Sequence, residues 1–199
     1  MTVVLVKEIC AHRSVYLSVI KREKECLSLL YKFVYVFFSK FRSRRLFNER
    51  YTLSRYSLIK FSKRLVICKK FNYCLSHAGK YTAILLSSEK QQISVDLEPI
   101  NRHLSGSLKL KIRKLYPDLL IQELIIILIL ESMVKLSVFK NQIDLSKGLD
   151  NLCLVKIIRL KSDIFEVSIK SIKVYSKIYI CEDLYICVTM DSTTSDVFL

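Results

Sequence analysis

The sequence predicts an α+β fold of two similar lobes, each with a helix packed on a small antiparallel sheet. Three observations carry this expectation. Only three Gly and two Pro occur in 199 residues, which favours regular elements joined by short links. Short β-branched or alternating segments are interleaved with longer helical patterns. The order strand, helix, strands also occurs twice, before and after about residue 90, without an obvious sequence repeat. The expected lobes are residues 1–90 and 91–199, with the boundary near 88–93 and a site in the cleft between them.

Residues 2–6 form a β-branched run and read as the first strand. Residues 12–38 mix basic and apolar positions and read as one or two helices. Over residues 41–65, Leu53, Tyr56, Leu58, Ile59, Phe61 and Leu65 approximate a helical apolar face, with Arg and Lys on the other sides. Residues 71–75 and 81–86 read as two strands joined by a turn around Ala78-Gly79. In residues 92–97 the alternation of Ile93, Val95 and Leu97 puts Asp96 and Glu98 together on the opposite face. Two carboxylates so placed repel each other unless a cation lies between them.

Residues 108–116 read as a basic helix ended by Pro117. A second helix is expected over 119–138 with Asp118 as its cap. It is apolar nearly all round as far as Ile129, which predicts a central, buried element. Glu131 and Lys135 share a face of it at i and i+4, the spacing of an ordinary helical ion pair. Residues 155–160, 164–169, 171–175 and 185–190 complete the chain as strands.

The composition is that of a globular chain: 51% hydrophobic and 26% charged. Its formal net charge of +15 is uneven. Residues 1–80 hold 18 Lys/Arg against 4 Asp/Glu, whereas residues 81–199 hold 15 against 14. An anionic partner is therefore expected at the first part of the chain. Apolar runs at 27–38 and 124–130 fall short of the roughly 20 residues of a membrane span. The opening residues lack the basic stretch of a signal peptide. Seven cysteines, an odd number, fit free thiols in the cytoplasm. Cys68, Cys74 and His77 lack a fourth ligand at a usual zinc spacing.

Three segments carry chemistry. Phe71-Asn72-Tyr73-Cys74-Leu75-Ser76-His77-Ala78-Gly79 is followed by Ile93-Ser94-Val95-Asp96-Leu97-Glu98, and then by Glu131-Ser132-Met133-Val134-Lys135. The first resembles the Phe-Asn-x-Ser-His-Ser-Gly segment of the longer, single-chain, pseudo-dimeric class of 4′-phosphopantetheinyl transferases, with one extra residue. The second is similar to that family's Gly-Ile-Asp-Ile-Glu metal strand. The third is similar to the end of its Trp-Ser-x-Lys-Glu-Ser-x-x-Lys helix. Arg45 and the run from Glu49 to Arg55 are similar to its Arg-rich early helix, and Lys147-Gly148-Leu149 to the stretch after its catalytic helix. The resemblance runs from about residue 40 onward. Ile127 stands where the family has Trp, Leu130 where it has Lys, and Ser94 where it has Gly. Its Gly-Lys-Pro loop has no clear counterpart between Leu65 and Phe71.

The resemblance implies two lobes related by a pseudo-twofold. It also implies transfer of phosphopantetheine from coenzyme A to a serine of an acidic acyl or peptidyl carrier protein, with magnesium or manganese as the ion. Asp96, Glu98 and Glu131 become the metal ligands, an oxygen-donor set that suits magnesium. Glu131 becomes the group that deprotonates the serine, and Lys135 the cation facing the leaving phosphate. Ser76 and His77 are expected on a coenzyme A phosphate, and Arg45, Arg50 and Arg55 at its nucleotide end. A monomer is expected. Removing one carboxylate is expected to abolish transfer and to leave metal-free stability unchanged or higher. Two other readings stand beside this one. A degenerate member of the family would bind coenzyme A or carrier protein without turnover. A basic nucleic-acid-binding protein would explain the charge of residues 1–80 but not the three carboxylates, and no nucleic-acid-binding motif is recognisable.

Overall fold

A computed structural model of the chain describes residues 2–10, 15–21, 72–87, 92–136 and 154–191. The fold is α+β, with two antiparallel sheets and two helices. The first sheet contains β1 (Thr2–Cys10), β2 (Val15–Lys21), β3 (Asn72–Ala78) and β4 (Tyr81–Ser87), in the order β1-β2-β4-β3. The second contains β5 (Ile93–Pro99), β6 (Lys156–Arg159), β7 (Ile164–Ile169), β8 (Ile172–Cys181) and β9 (Leu184–Asp191), in the order β5-β9-β8-β7-β6. Helices α1 (Gly106–Leu115) and α2 (Glu123–Val134) follow β5.

The apolar side chains sort these elements into three layers among the described residues. Val15, Leu17 and Val19 of β2 and Tyr81, Ala83 and Leu85 of β4 pack against Val95, Leu97, Ile186 and Val188 of the second sheet. On that sheet's other face, Phe165, Val167, Val174 and Cys187 meet Ile112 of α1 and Ile126, Ile129 and Met133 of α2. The second sheet is thus covered on both sides, which accounts for the long apolar run of β9, buried at every position but the last.

Two expectations about local structure are corrected. Residues 15–21 form a strand, not part of a helix. Val15, Leu17 and Val19 alternate with a period of two and are fully buried, and β2 is paired on both sides, with β1 and β4. Asp118 does not cap the second helix. The chain after Pro117 makes turns, with Leu119 N–H donating to Tyr116 and Ile121 N–H to Leu119, so α2 starts only at Glu123, behind Gln122. Ser105 caps α1 by accepting from Leu108 N–H at 3.3 Å. The helix expected over 41–65 and the stretch 147–149 lie outside the described residues.

α2 crosses the sheet over small polar side chains. Ser94 donates to the Ser132 carbonyl at 2.6 Å, and Thr189 donates to the Ser132 hydroxyl at 2.9 Å. Ser176 lies 2.8 Å from Thr189. All four residues are fully buried, so this chain of hydroxyls satisfies groups that would otherwise be costly beneath the helix. It also fixes the C-terminal half of α2, which carries Glu131, above β5.

Candidate active site

β5 presents its two faces to different layers. Val95 and Leu97 enter the core between the sheets, while Ser94, Asp96 and Glu98 lie on the side of α2. β3 runs beside β5 and joins the edges of the two sheets. Val95 N–H donates to the Cys74 thiol at 3.3 Å across this seam. The seam partly buries Cys74, and this burial pushes its thiol pKa up. Ser76, two residues along β3, therefore sits against Asp96.

One oxygen of Asp96 gathers three donors. Oδ1 accepts from the Ser76 hydroxyl at 2.5 Å, from Lys135 Nζ at 2.6 Å and from the Leu97 N–H at 3.1 Å. Lys135 Nζ also donates to the Val95 carbonyl at 3.1 Å and to Ser76 Oγ at 3.2 Å. With its side chain only 9% exposed, Asp96 needs this company, because a buried carboxylate without partners is costly. Lys135 is just past the end of α2, so the helix delivers the ammonium group to the strand.

Glu98 and Glu131 share a second cation. Arg102, in the turn after β5, donates from Nη1 to Glu98 Oε1, and the same nitrogen lies 3.8 Å from Glu131 Oε2. The three acids act on one another. Partial burial, then the charge of Asp96, push the Glu131 carboxyl up to about 7; Glu98 adds to this, while Arg102 and Lys135 oppose it. Burial raises Glu98 as well, with Asp96 contributing and Arg102 opposing.

The structure thus brings together Asp96, Glu98, Glu131, Lys135 and Ser76. Some of the pairings differ from those read in the sequence. Lys135 is bonded to Asp96 across two elements in place of the i, i+4 partner Glu131. Ser76 is 7% exposed and occupied with Asp96, so its hydroxyl is not presented to a phosphate. His77 is exposed on the opposite side of β3, as strand alternation requires, so the two neighbours do not converge on one ligand group. Arg45, Arg50 and Arg55 lie outside the described residues. Arg102 was not singled out in the sequence; its place four residues after Glu98 is the signal that could have found it.

Among the described residues, no group of three or more His, Cys, Asp or Glu stands ready to hold a metal ion. Lys135 lies on Oδ1 of Asp96, and Arg102 on one oxygen each of Glu98 and Glu131. In kind the set does fit magnesium or manganese, because all three groups are oxygen donors and their charges repel one another. A groove of about 920 Å³ lies elsewhere: Ile112, Tyr116, Leu119, Ile126, Phe165 and Ile178 line it, and none of the three acids does.

No protein-family model matches the chain, and no characterised protein is significantly similar to it in sequence.

Proposed function

We propose that the chain is a divergent 4′-phosphopantetheinyl transferase. In this reading it moves phosphopantetheine from coenzyme A to a serine of an acidic acyl or peptidyl carrier protein. The observation that carries the reading is the meeting of Asp96, Glu98 and Glu131, from one strand and one helix, in a single coupled cluster with Lys135. Lys135 and Arg102 offset the repulsion among these acids only in part, since the Glu131 carboxyl is still raised, and the remaining repulsion gives a purely structural group no advantage. A site for an anionic substrate and a cation has a use for it.

Asp96 and Glu131, with Glu98 directly or through water, would hold magnesium or manganese; when bound, the ion neutralises charge on the pyrophosphate. Glu131 accepts the proton of the carrier serine, directly or through water. The serine oxygen then bonds to the phosphorus that bears pantetheine, and the bond to adenosine 3′,5′-bisphosphate breaks. Lys135 is the cation at hand for the leaving phosphate. His77 and the early arginines Arg45, Arg50 and Arg55 serve coenzyme A, whereas Ser76 serves Asp96. Two lobes, residues 1–90 and 91–199, related by an approximate twofold, belong to this reading, as do a monomeric state and a cytoplasmic location. No described helix is long and apolar enough to cross a membrane.

A second reading keeps binding and discards turnover. It is favoured by Leu130, which is 3% exposed in the core where the family has Lys, and by the side-chain cations on the acids. The test for both is incubation with coenzyme A, magnesium and an apo carrier protein, followed by intact mass. Transfer that is lost in Asp96→Ala and Glu131→Ala supports the enzyme. Coenzyme A binding without transfer to any carrier supports the second reading, and neither binding nor transfer rejects both.

A further inference from the structure

We propose that Arg102 is a built-in occupant of the carboxylate cluster, a tethered cation that a divalent ion must displace from Glu98 and Glu131 in order to bind. The inference rests on the metal reading above. Among the described residues, every polar contact of the Arg102 side chain is to one of these two acids. Lys135 is anchored differently, because it also donates to the Val95 carbonyl and to Ser76. The two side chains are about equally exposed, so the difference lies in this anchoring, and Arg102 has less to lose by leaving.

Charge balance points the same way. Asp96, Glu98 and Glu131 carry three negative charges when ionised. Lys135 and Arg102 together leave one of them uncompensated. Lys135 and a divalent ion leave none. Exchanging Arg102 for the ion therefore completes the neutralisation without disturbing the Lys135–Asp96 bond. The tether makes Arg102 an effective competitor. It follows Glu98 by four residues, and its own N–H donates to the Pro99 carbonyl at 3.0 Å, so the turn keeps the guanidinium beside the site at high local concentration. An ordinary surface ion pair would have no such consequence, since its loss affects nothing else.

The test is a calorimetric titration of the full chain with Mg²⁺ and, separately, Mn²⁺. The proteins are wild type, Arg102→Gln, Arg102→Lys and Asp96→Ala, each first checked for a native circular dichroism spectrum and thermal transition. The expected result is that R102Q binds the ion at least about fivefold more tightly than wild type. R102K keeps a tethered charge and stays within about twofold of wild type. D96A binds weakly or not at all. Equal or weaker binding by R102Q, with D96A still impaired, overturns the proposal and leaves the metal reading standing. Absence of ion binding in both wild type and R102Q overturns the two together.

Discussion

Lys135 Nζ lies 2.6 Å from Asp96 Oδ1, and this bond ties the end of α2 to the middle of β5. The partners are unequal: the Asp96 side chain is 9% exposed, that of Lys135 33%. Removing Lys135 strands a buried carboxylate, whereas removing Asp96 leaves an ammonium group that can turn to water. Lys135→Met is therefore expected to cost about 2 kcal/mol, below the range for a fully buried pair because Lys135 is partly solvated. Asp96→Asn, which keeps acceptors for Ser76 and Leu97, is expected to cost about 1 kcal/mol. Urea unfolding of metal-free protein gives both values, and a larger loss for Asp96→Asn would contradict this account. The sequence alone led to an expectation of unchanged or higher stability for the loss of Asp96, because Lys135 could not be seen there.

Elements with strong periodicity were legible. The alternation of Ile93, Val95 and Leu97 set the faces of β5, and the apolar run through Ile129 set the burial of α2. Contacts between distant residues were not: nothing local says that Lys135 reaches residue 96, or that β3 lies beside β5 and takes Ser76 into the interior. β2 was misread because Val15, Leu17 and Val19 make a pattern too short to override the mixed composition around them. The break at Lys170 was legible from the strand patterns on either side of it, but the left-handed backbone of the turns was legible only where glycine marked it. Ala78–Tyr81, Ile169–Ile172 and Cys181–Leu184 each close a two-residue hairpin whose first loop residue has φ near +50°, yet only Gly79 announces it; Lys170 and Glu182 do not.

Lys170 offers a direct check on that point. Its φ of 52° is in the left-handed region, which costs a residue with a Cβ roughly 1 kcal/mol that glycine does not pay. Glycine in turn loses about 0.5–1 kcal/mol more backbone entropy on folding. Lys170→Gly is expected to be neutral to stabilising by about 0.5 kcal/mol, and Lys170→Asn to be similar. Chemical denaturation measures this; a clear destabilisation by both would mean that the lysine makes a contact outweighing its backbone cost.

Tyr81 connects the two sheets through the turn between β8 and β9. Its hydroxyl is 2.6 Å from Glu182 Oε2 and 2.8 Å from Asp183 Oδ1, so its single proton serves one acid at a time. Both acids push the phenol well above its usual range, Glu182 most strongly. The Tyr81 hydrogen bond in turn holds the Asp183 carboxyl below its usual value. A depressed acid stabilises the fold above its ordinary range, and that contribution is lost as pH falls through the folded-state value. Tyr81→Phe is expected to return the Asp183 carboxyl upward, read by NMR titration, and to flatten the acid limb of the stability profile. An unchanged Asp183 titration would show that Lys80 and Lys21, the other charges acting on it, suffice.

Glu131 reverses that sign. Burial and the charges of Asp96 and Glu98 raise its carboxyl to about 7 against the opposition of Arg102 and Lys135, so in metal-free protein the folded state favours the protonated form. For an acid raised above its unfolded value, the extra stability is fully present below the ordinary glutamate range and is lost as pH rises through about 7. Glu131→Gln mimics the protonated acid. It is expected to match wild type at pH well below 7 and to exceed it above 7, by no more than about 1 kcal/mol because the side chain is 42% exposed and screened by solvent. Added magnesium should change the order. On the proposed function the ion would remove the repulsion in wild type, and competition with the Glu131 proton would make its affinity rise most steeply near pH 7. Glu131→Gln, with one donor charge fewer, should bind the ion more weakly and without that step. Paired thermal melts in chelator and in magnesium, on both sides of pH 7, separate the cases. If Glu131→Gln is the less stable protein above pH 7 in chelator, the three acids do not repel one another and the coupled cluster is a structural network.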